Sequence, residues 1–224
     1  MTHSELLQNL NRVKEKISNL SHGKDVSLLV ATKTQSAEDI NFLISNGVTL
    51  IGENRVQELL EKYDKINKDG VFVHLIGSLQ KNKVKYICDK VDMIHSVDSL
   101  SLATEISKRC LAIGKVMDVL VEINIGREES KGGIMPEDAE EFIKSLSCLD
   151  GISVRGLMTM APRCTEEEYH SYFKETKKIF DKLFGNTENA VLSMGMSESY
   201  EYAVMEGATL VRVGSAIFGE RKYF

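Results

Sequence analysis

"SLLVATKTQS", residues 27–36, starts as an apolar strand and ends on a lysine and a polar tail. Leu28, Leu29, Val30 and Ala31 make the run, Thr32 continues it, and Lys33 stands where the strand should stop. The run is apolar on both parities, as a parallel strand covered on both faces should be. Seven more runs of strand length follow, at residues 49–52, 71–77, 93–97, 116–125, 152–160, 190–194 and 210–213. Helical patterns separate them. With 2 prolines and short connections, this alternation fits an α/β fold of the (β/α)8 TIM barrel type better than an open doubly wound sheet. No GxGxxG follows the first strand, which weakens the dinucleotide-binding alternative further. At 224 residues the chain suits one large core, so a single domain over 1–224 is expected.

The helices carry their own punctuation. Leu6, Leu10, Val13, Ile17 and Leu20 form an amphipathic face ahead of the first strand, with Thr2 and Glu5 at capping-box spacing. This helix is extra to the barrel repeat. Ser36 and Asp39 repeat the spacing before Ile40, Leu43 and Ile44, and Gly47 is a candidate stop. Val56, Leu59, Leu60, Tyr63 and Ile66 line the next helix, and Leu102, Ile106, Cys110 and Ile113 a later one. Phe142, Ile143 and Leu146 share another face, and Thr165 and Glu168 cap a long helix carrying Tyr169, Phe173, Phe180 and Phe184.

Composition excludes several classes. A net charge of -5 leaves no basic excess for phosphate neutralisation, so no nucleic-acid partner is expected. The stretch at residues 81–85, KNKVK, reads as a solvated helix start. No segment is long and apolar enough to cross a bilayer, and the N-terminus lacks the apolar core of a signal peptide, so a cytoplasmic protein without a membrane partner is expected. Cys88, Cys110, Cys148 and Cys164 form no CxxC pair and have no histidine at ligand spacing, which fits reduced thiols, three of them in helical segments, and no metal site.

In such a barrel the chemistry sits at the C-terminal strand ends. Those ends collect polar groups and glycines: Lys33, then Gly52-Glu53-Asn54, then residues 193–197 and 211–219, with strand bodies expected to carry few polar groups. Alternation turns Leu29, Ala31 and Lys33 inward and Leu28, Val30 and Thr32 outward. Likewise Leu210, Arg212 and Gly214 face in, and Val211 and Val213 face out. A lysine and an arginine in one mouth are unfavourable unless something anionic binds, and both burial and a cationic neighbour favour the neutral, nucleophilic amine. Ser193, Gly195 and Ser197 after strand seven, and Gly214 and Ser215 after strand eight, match a recurrent barrel phosphate site. A strand-tip lysine is often only a surface residue, Gly-Ser turns are often only turns, and Arg212 has structural partners in Glu53 or Glu122. Phosphate site, imine-forming lysine and arginine together suit pyridoxal phosphate.

The stretches "LLVATKT", "IGENRVQE", "HLIGSLQKNKVK", "HSVDSL", "VEINIGREESKGGI", "RGLMTMAP" and "LSMGMSESYEYAVMEGATLVRVGSAIFGER" run in order over nearly the whole chain. On these the chain resembles the pyridoxal phosphate homeostasis protein family, related to the N-terminal barrel of alanine racemase. "SMGMS" with "VRVGSAIFG" is the specific pair. The resemblance implies that Lys33 forms an imine with the cofactor and that Arg212 faces its pyridine nitrogen. It implies that Ser193, Gly195, Met196, Ser197, Gly214 and Ser215 surround the phosphate. Asn54, His74 and Met158 occupy family-like positions near the cofactor, His74 having an equal claim as a packed strand residue. "ATKTQ" replaces a commoner "VSKTK", and Ser78 stands where proline or histidine is frequent; neither change removes an assigned group.

Related racemases carry a second, β-rich domain whose tyrosine is the opposite-face base, and the sequence given ends at Phe224. Neither Tyr200 nor Tyr223 is an obvious substitute. The expectation is therefore a monomeric, non-enzymatic carrier of pyridoxal phosphate in cofactor and amino-acid homeostasis, with apo forms of pyridoxal phosphate enzymes as candidate partners. A pyridoxal phosphate-dependent amino-acid racemase is the alternative. A Schiff-base aldolase without the cofactor is the third reading.

Overall fold

A computed structural model describes residues 1–219. Glu220, Arg221 and Tyr223, which entered the sequence reading, lie outside the described residues. Eight parallel strands close in chain order into a barrel, with β1 (Ser27–Ala31) bonded to β2 (Leu50–Glu53) on one side and β8 (Leu210–Val213) on the other. Between them run β3 (Phe72–Leu75), β4 (Met93–Val97), β5 (Met117–Ile123), β6 (Ile152–Thr159) and β7 (Val191–Ser193). The expected (β/α)8 barrel is the observed architecture.

The outer layer comprises α1 (His3–Leu20), α2 (Ala37–Ser45), α3 (Val56–Lys62), α4 (Leu100–Leu111), α5 (Ala139–Leu146), α6 (Glu166–Phe184), α7 (Tyr200–Met205) and α8 (Ser215–Phe218). Between β3 and β4 the crossover is a 3-10 helix, Lys81–Tyr86, rather than an α-helix. α3 stops at Lys62 and tightens to 3-10 geometry, leaving Ile66 beyond it, and α4 ends before the exposed Ile113. Full capping boxes form at Thr2–Glu5 and Thr165–Glu168, whereas Ser36 caps Asp39 without the reciprocal backbone bond. Of the cysteines, all free, only Cys110 lies within an α-helix.

The extra N-terminal helix has a structural reason. α8 is a 4-residue turn, too short to cover the outer face where β8 meets β1. α1 packs against α7, α8 and α2 and takes that place. It is pinned by Asn9 Nδ2 donating to the Ile217 carbonyl at 3.0 Å, Lys16 to Glu201 at 2.6 Å, and Lys14 to the Gly47 carbonyl at 3.3 Å. Leu6, Leu10, Val13 and Ile17 are buried beneath it.

The barrel interior separates from this outer layer. Leu29, Ala31, Ile76 and Leu210 form one inner cluster and Met93, Leu120 and Met158 another, both packed against Val191. Leu28, Val30, Val211 and Val213 belong to the outer core, so the alternation read from β1 and β8 holds. The strand bodies are less apolar than expected. His74, His95, Ser96, Glu122, Ser193 and Arg212 are all buried within them.

Because Leu10 is fully buried under α1, Leu10→Ala should lower the unfolding free energy by about 2–5 kcal/mol in a denaturant titration. A loss below about 0.5 kcal/mol would show α1 to be dispensable.

Candidate functional site

Strand register assembles the site. β1 pairs with β8 so that Leu29 lies beside Arg212 and Val30 beside Val213. One step on, a side-chain carbon on Gly214 would sit 3.2 Å from the Ala31 carbonyl oxygen, so the two backbones nearly touch at the rim. Lys33 leaves β1 there, half-buried and on the inward parity of Leu29 and Ala31. The next residue, Thr34, has φ 64. A β-branched residue in that region is an outlier, costing roughly 1–3 kcal/mol, and persists only where its surroundings hold it.

Below the rim a hydrogen-bonded chain crosses the barrel. Arg212 donates from Nη1 to Ser193 Oγ at 2.5 Å and from Nη2 to the Thr159 carbonyl at 2.8 Å. Ser193 Oγ lies 3.2 Å from His95 Nδ1, and His95 Nε2 lies 2.9 Å from His74 Nδ1. Guanidinium can only donate, so Ser193 Oγ accepts from Arg212. With both imidazoles neutral, the remaining protons run one way along the chain, either from Ser193 through His95 to His74 or from His74 through His95 to Ser193, whose oxygen can accept twice. Burial pushes His74 down to about 4, and burial followed by the charges of His74 and Arg212 holds His95 well below its usual range. Burial lowers Arg212 to about 10, which leaves it charged at neutral pH. Glu122, the buried carboxyl whose field reaches Arg212, is raised to about 7 by burial and then by Asp98.

The turns after β7 and β8 form a cradle. The Gly214 and Ala216 N–H groups converge on Ser197 Oγ at 3.0 and 3.3 Å. Gly195, at φ 87, lets the β7 turn pass against α7, where a side chain would come within 2.5 Å of Ala203 Cβ. Met196 and Ser215 are exposed, and Met196 N–H donates to Ser199 Oγ at 3.3 Å. Ser193 departs from the role the resemblance implied, since its hydroxyl is fully buried and bonded to Arg212 and His95 rather than open to the cradle. Met158 is fully buried beside Ser193, against Met93 and Leu120.

Glu53 does not pair with Arg212. It faces α3, where Lys62 Nζ reaches its Oε1 at 2.7 Å and Thr32 also donates to it. Burial raises the Glu53 carboxyl against the pull of Lys62 and Thr32.

These residues fit a phosphorylated, ring-bearing aldehyde. A half-buried amine stands at the rim, paired N–H groups already hold one oxygen, and a guanidinium lies below. Asn54 Oδ1 is buried with no hydrogen-bond partner among the described residues, an acceptor whose burial calls for a donor from a bound molecule. Sequence reasoning missed His95. β4 shifts register between Ile94 and Val97, both of which face the outer core, so no regular alternation marks His95 as inward.

The alanine racemase N-terminal domain model matches residues 3–222. A pyridoxal phosphate homeostasis protein of Aquifex aeolicus is 42% identical over 218 residues, covering 96% of each chain. That of Escherichia coli K12 is 33% identical over 98% of each. This chain belongs to the pyridoxal phosphate homeostasis protein family. Among solved structures it is similar to an unknown protein from Bifidobacterium adolescentis, with TM-score 0.90 and 36% identity over 96% of this chain and 95% of that one. PipY of Synechococcus elongatus with PLP bound matches with TM-score 0.77 and 31% identity over 92% of this chain and 99% of PipY. Alanine racemase of Clostridium difficile 630, at 21% identity and TM-score 0.74, shares the fold over 58% of its length.

Glu122 gives a pH-dependent test. Its folded value of about 7 lies above the ordinary 4.5, so the folded chain holds this proton more tightly. The stability tied to it is complete below the ordinary value and is lost as pH rises through the folded one. Glu122→Gln should therefore match the parent near pH 4 and exceed it near pH 8 by about 1–3 kcal/mol in chemical unfolding of the ligand-free protein. His74, shifted the other way, cancels from the difference. Equal stability of the two proteins at both pH values would contradict the assignment.

Proposed function

We propose that this barrel holds pyridoxal phosphate covalently and reversibly, as a carrier in cofactor and amino-acid homeostasis, without turning over amino acids. One observation carries the reading: the β1–β8 pairing sets the Ala31 end of β1, two residues before Lys33, against Gly214, whose N–H converges with that of Ala216 on Ser197, and Arg212 is buried below. The family name and the PipY structure with PLP bound support the choice of ligand. When bound, pyridoxal phosphate supplies an aldehyde that condenses with a primary amine and releases water.

Lys33 provides that amine. Gly195, Met196, Ser197, Gly214 and Ser215 would hold the phosphate, for which the Gly214 and Ala216 N–H groups, now donating to Ser197 Oγ, are the available donors. Arg212, an obligate donor, would face the ring nitrogen, so a cofactor held there would supply only a weak electron sink. Ser193 holds Arg212 in place, His74 ends the chain behind it, and Asn54 and Met158 line the remaining wall.

Two features favour a carrier over a racemase. Tyr200 is buried in α7 and its phenol is pushed up to about 12, mainly by burial, so it is not placed as a base in the mouth. The relatives that align end to end with this chain are named for homeostasis, whereas the racemase shares only its barrel. We further propose that residues 1–224 act as one monomeric domain in the cytoplasm and that apo forms of pyridoxal phosphate enzymes receive the cofactor.

Titration with pyridoxal phosphate should produce an imine absorption band that Lys33→Ala lacks. In deuterium oxide, alanine incubated with the loaded protein should keep its α-hydrogen. Lys33-dependent exchange would establish a racemase-like activity instead, and a wild-type protein that takes up none of the cofactor would remove the site.

A further inference from the structure

The segment that carries Lys33 is clamped from the far side of the sheet by groups that never face the mouth. Lys62, near the end of α3, is buried, and its Nζ donates to the Thr32 carbonyl at 2.8 Å and the Gln35 carbonyl at 3.4 Å. The same nitrogen pairs with Glu53 Oε1 at 2.7 Å, and Thr32 Oγ1 bonds that carboxylate as well. One turn earlier on α3, Glu58 Oε2 accepts the Thr34 N–H at 2.9 Å. The polar groups on either side of Lys33 are thus fastened to α3 and β2, while the turn contains Thr34 at φ 64.

A buried ion pair contributes little net stability by itself, because desolvation offsets the attraction. Glu53 illustrates this: it is fully buried and its Oε2 has no hydrogen-bond partner among the described residues. What the pair does supply is a fixed ammonium under two carbonyls of a turn that Thr34 would otherwise relax. Resting on the reading of Lys33 as the cofactor-bonding amine, we infer that Lys62, Glu53 and Glu58 are positioning residues: they hold the strained Lys33–Thr34 turn so that the amine stands at bonding distance from an aldehyde seated in the cradle. They touch no ligand and act only through the backbone of residues 32–35.

The test needs a ligand that uses the cradle but not the amine. Pyridoxine 5′-phosphate carries the phosphate and the ring with an alcohol in place of the aldehyde. Lys62→Met alone strands a buried carboxylate, so the working variant is Glu53→Gln with Lys62→Met, which removes both charges. In the ligand-free variant, amide hydrogen exchange across residues 33–35 should rise while that of β8 stays unchanged. Imine formation with pyridoxal phosphate should fall by about tenfold or more, the scale on which small misplacements act. The dissociation constant of pyridoxine 5′-phosphate should stay within about twofold.

A variant that forms the imine as well as the parent overturns the inference, and so does one in which both ligands weaken alike, since that marks general damage to the barrel. A parent protein that forms no imine overturns the reading of the site itself, a result the parent shows before any variant is made.

Discussion

Closure of the barrel between β1 and β8 is the constraint on which the site depends. The first and last strands are remote in sequence, yet their hydrogen bonds place Leu29 beside Arg212 and the rim of β1 against Gly214. Parallel strands all end on one rim, so an amine from the start of the chain and a cradle from its end share a mouth. The extra helix α1 serves the same closure, since the single turn of α8 cannot cover the outside of that seam. Fold and site therefore stand or fall at one place.

A buried guanidinium must have its donors answered, and the barrel does this with neutral partners. Ser193 and the Thr159 carbonyl take two of them, and two neutral histidines extend the chain behind Ser193. Glu122 is the nearby carboxyl, raised toward neutrality by burial and Asp98, so it offsets Arg212 only weakly around pH 7. The Arg212 charge is therefore only partly balanced in a low-dielectric cup below the rim. That electrostatic state suits a dianionic ligand.

Much of this was legible in the sequence because it followed the two-residue period of strands. The inward parity of Leu29, Ala31, Leu210 and Arg212 and the pair of glycine-serine turns needed only alternation and the rule about strand ends. Features that break the period were not legible. His95 lies where β4 shifts register, and residues 81–85, whose lysines read as a solvated helix start, begin a 3-10 crossover instead. Ser193 was read as a phosphate ligand because it precedes a glycine turn, but parity with Val191 sends it down to Arg212. Lys62 gave no signal at all: a lysine in the last turn of a helix is ordinary in sequence, and only the packing of α3 against the β1 turn shows its ammonium to be buried.

The most direct measurement is chemical trapping. Protein mixed with pyridoxal phosphate, reduced with borohydride and digested should carry the phosphopyridoxyl group on the peptide containing Lys33, at one group per chain. Label spread over exposed lysines, or concentrated on any other residue while Lys33 remains unmodified, would contradict the assignment of the amine at the β1–β8 seam.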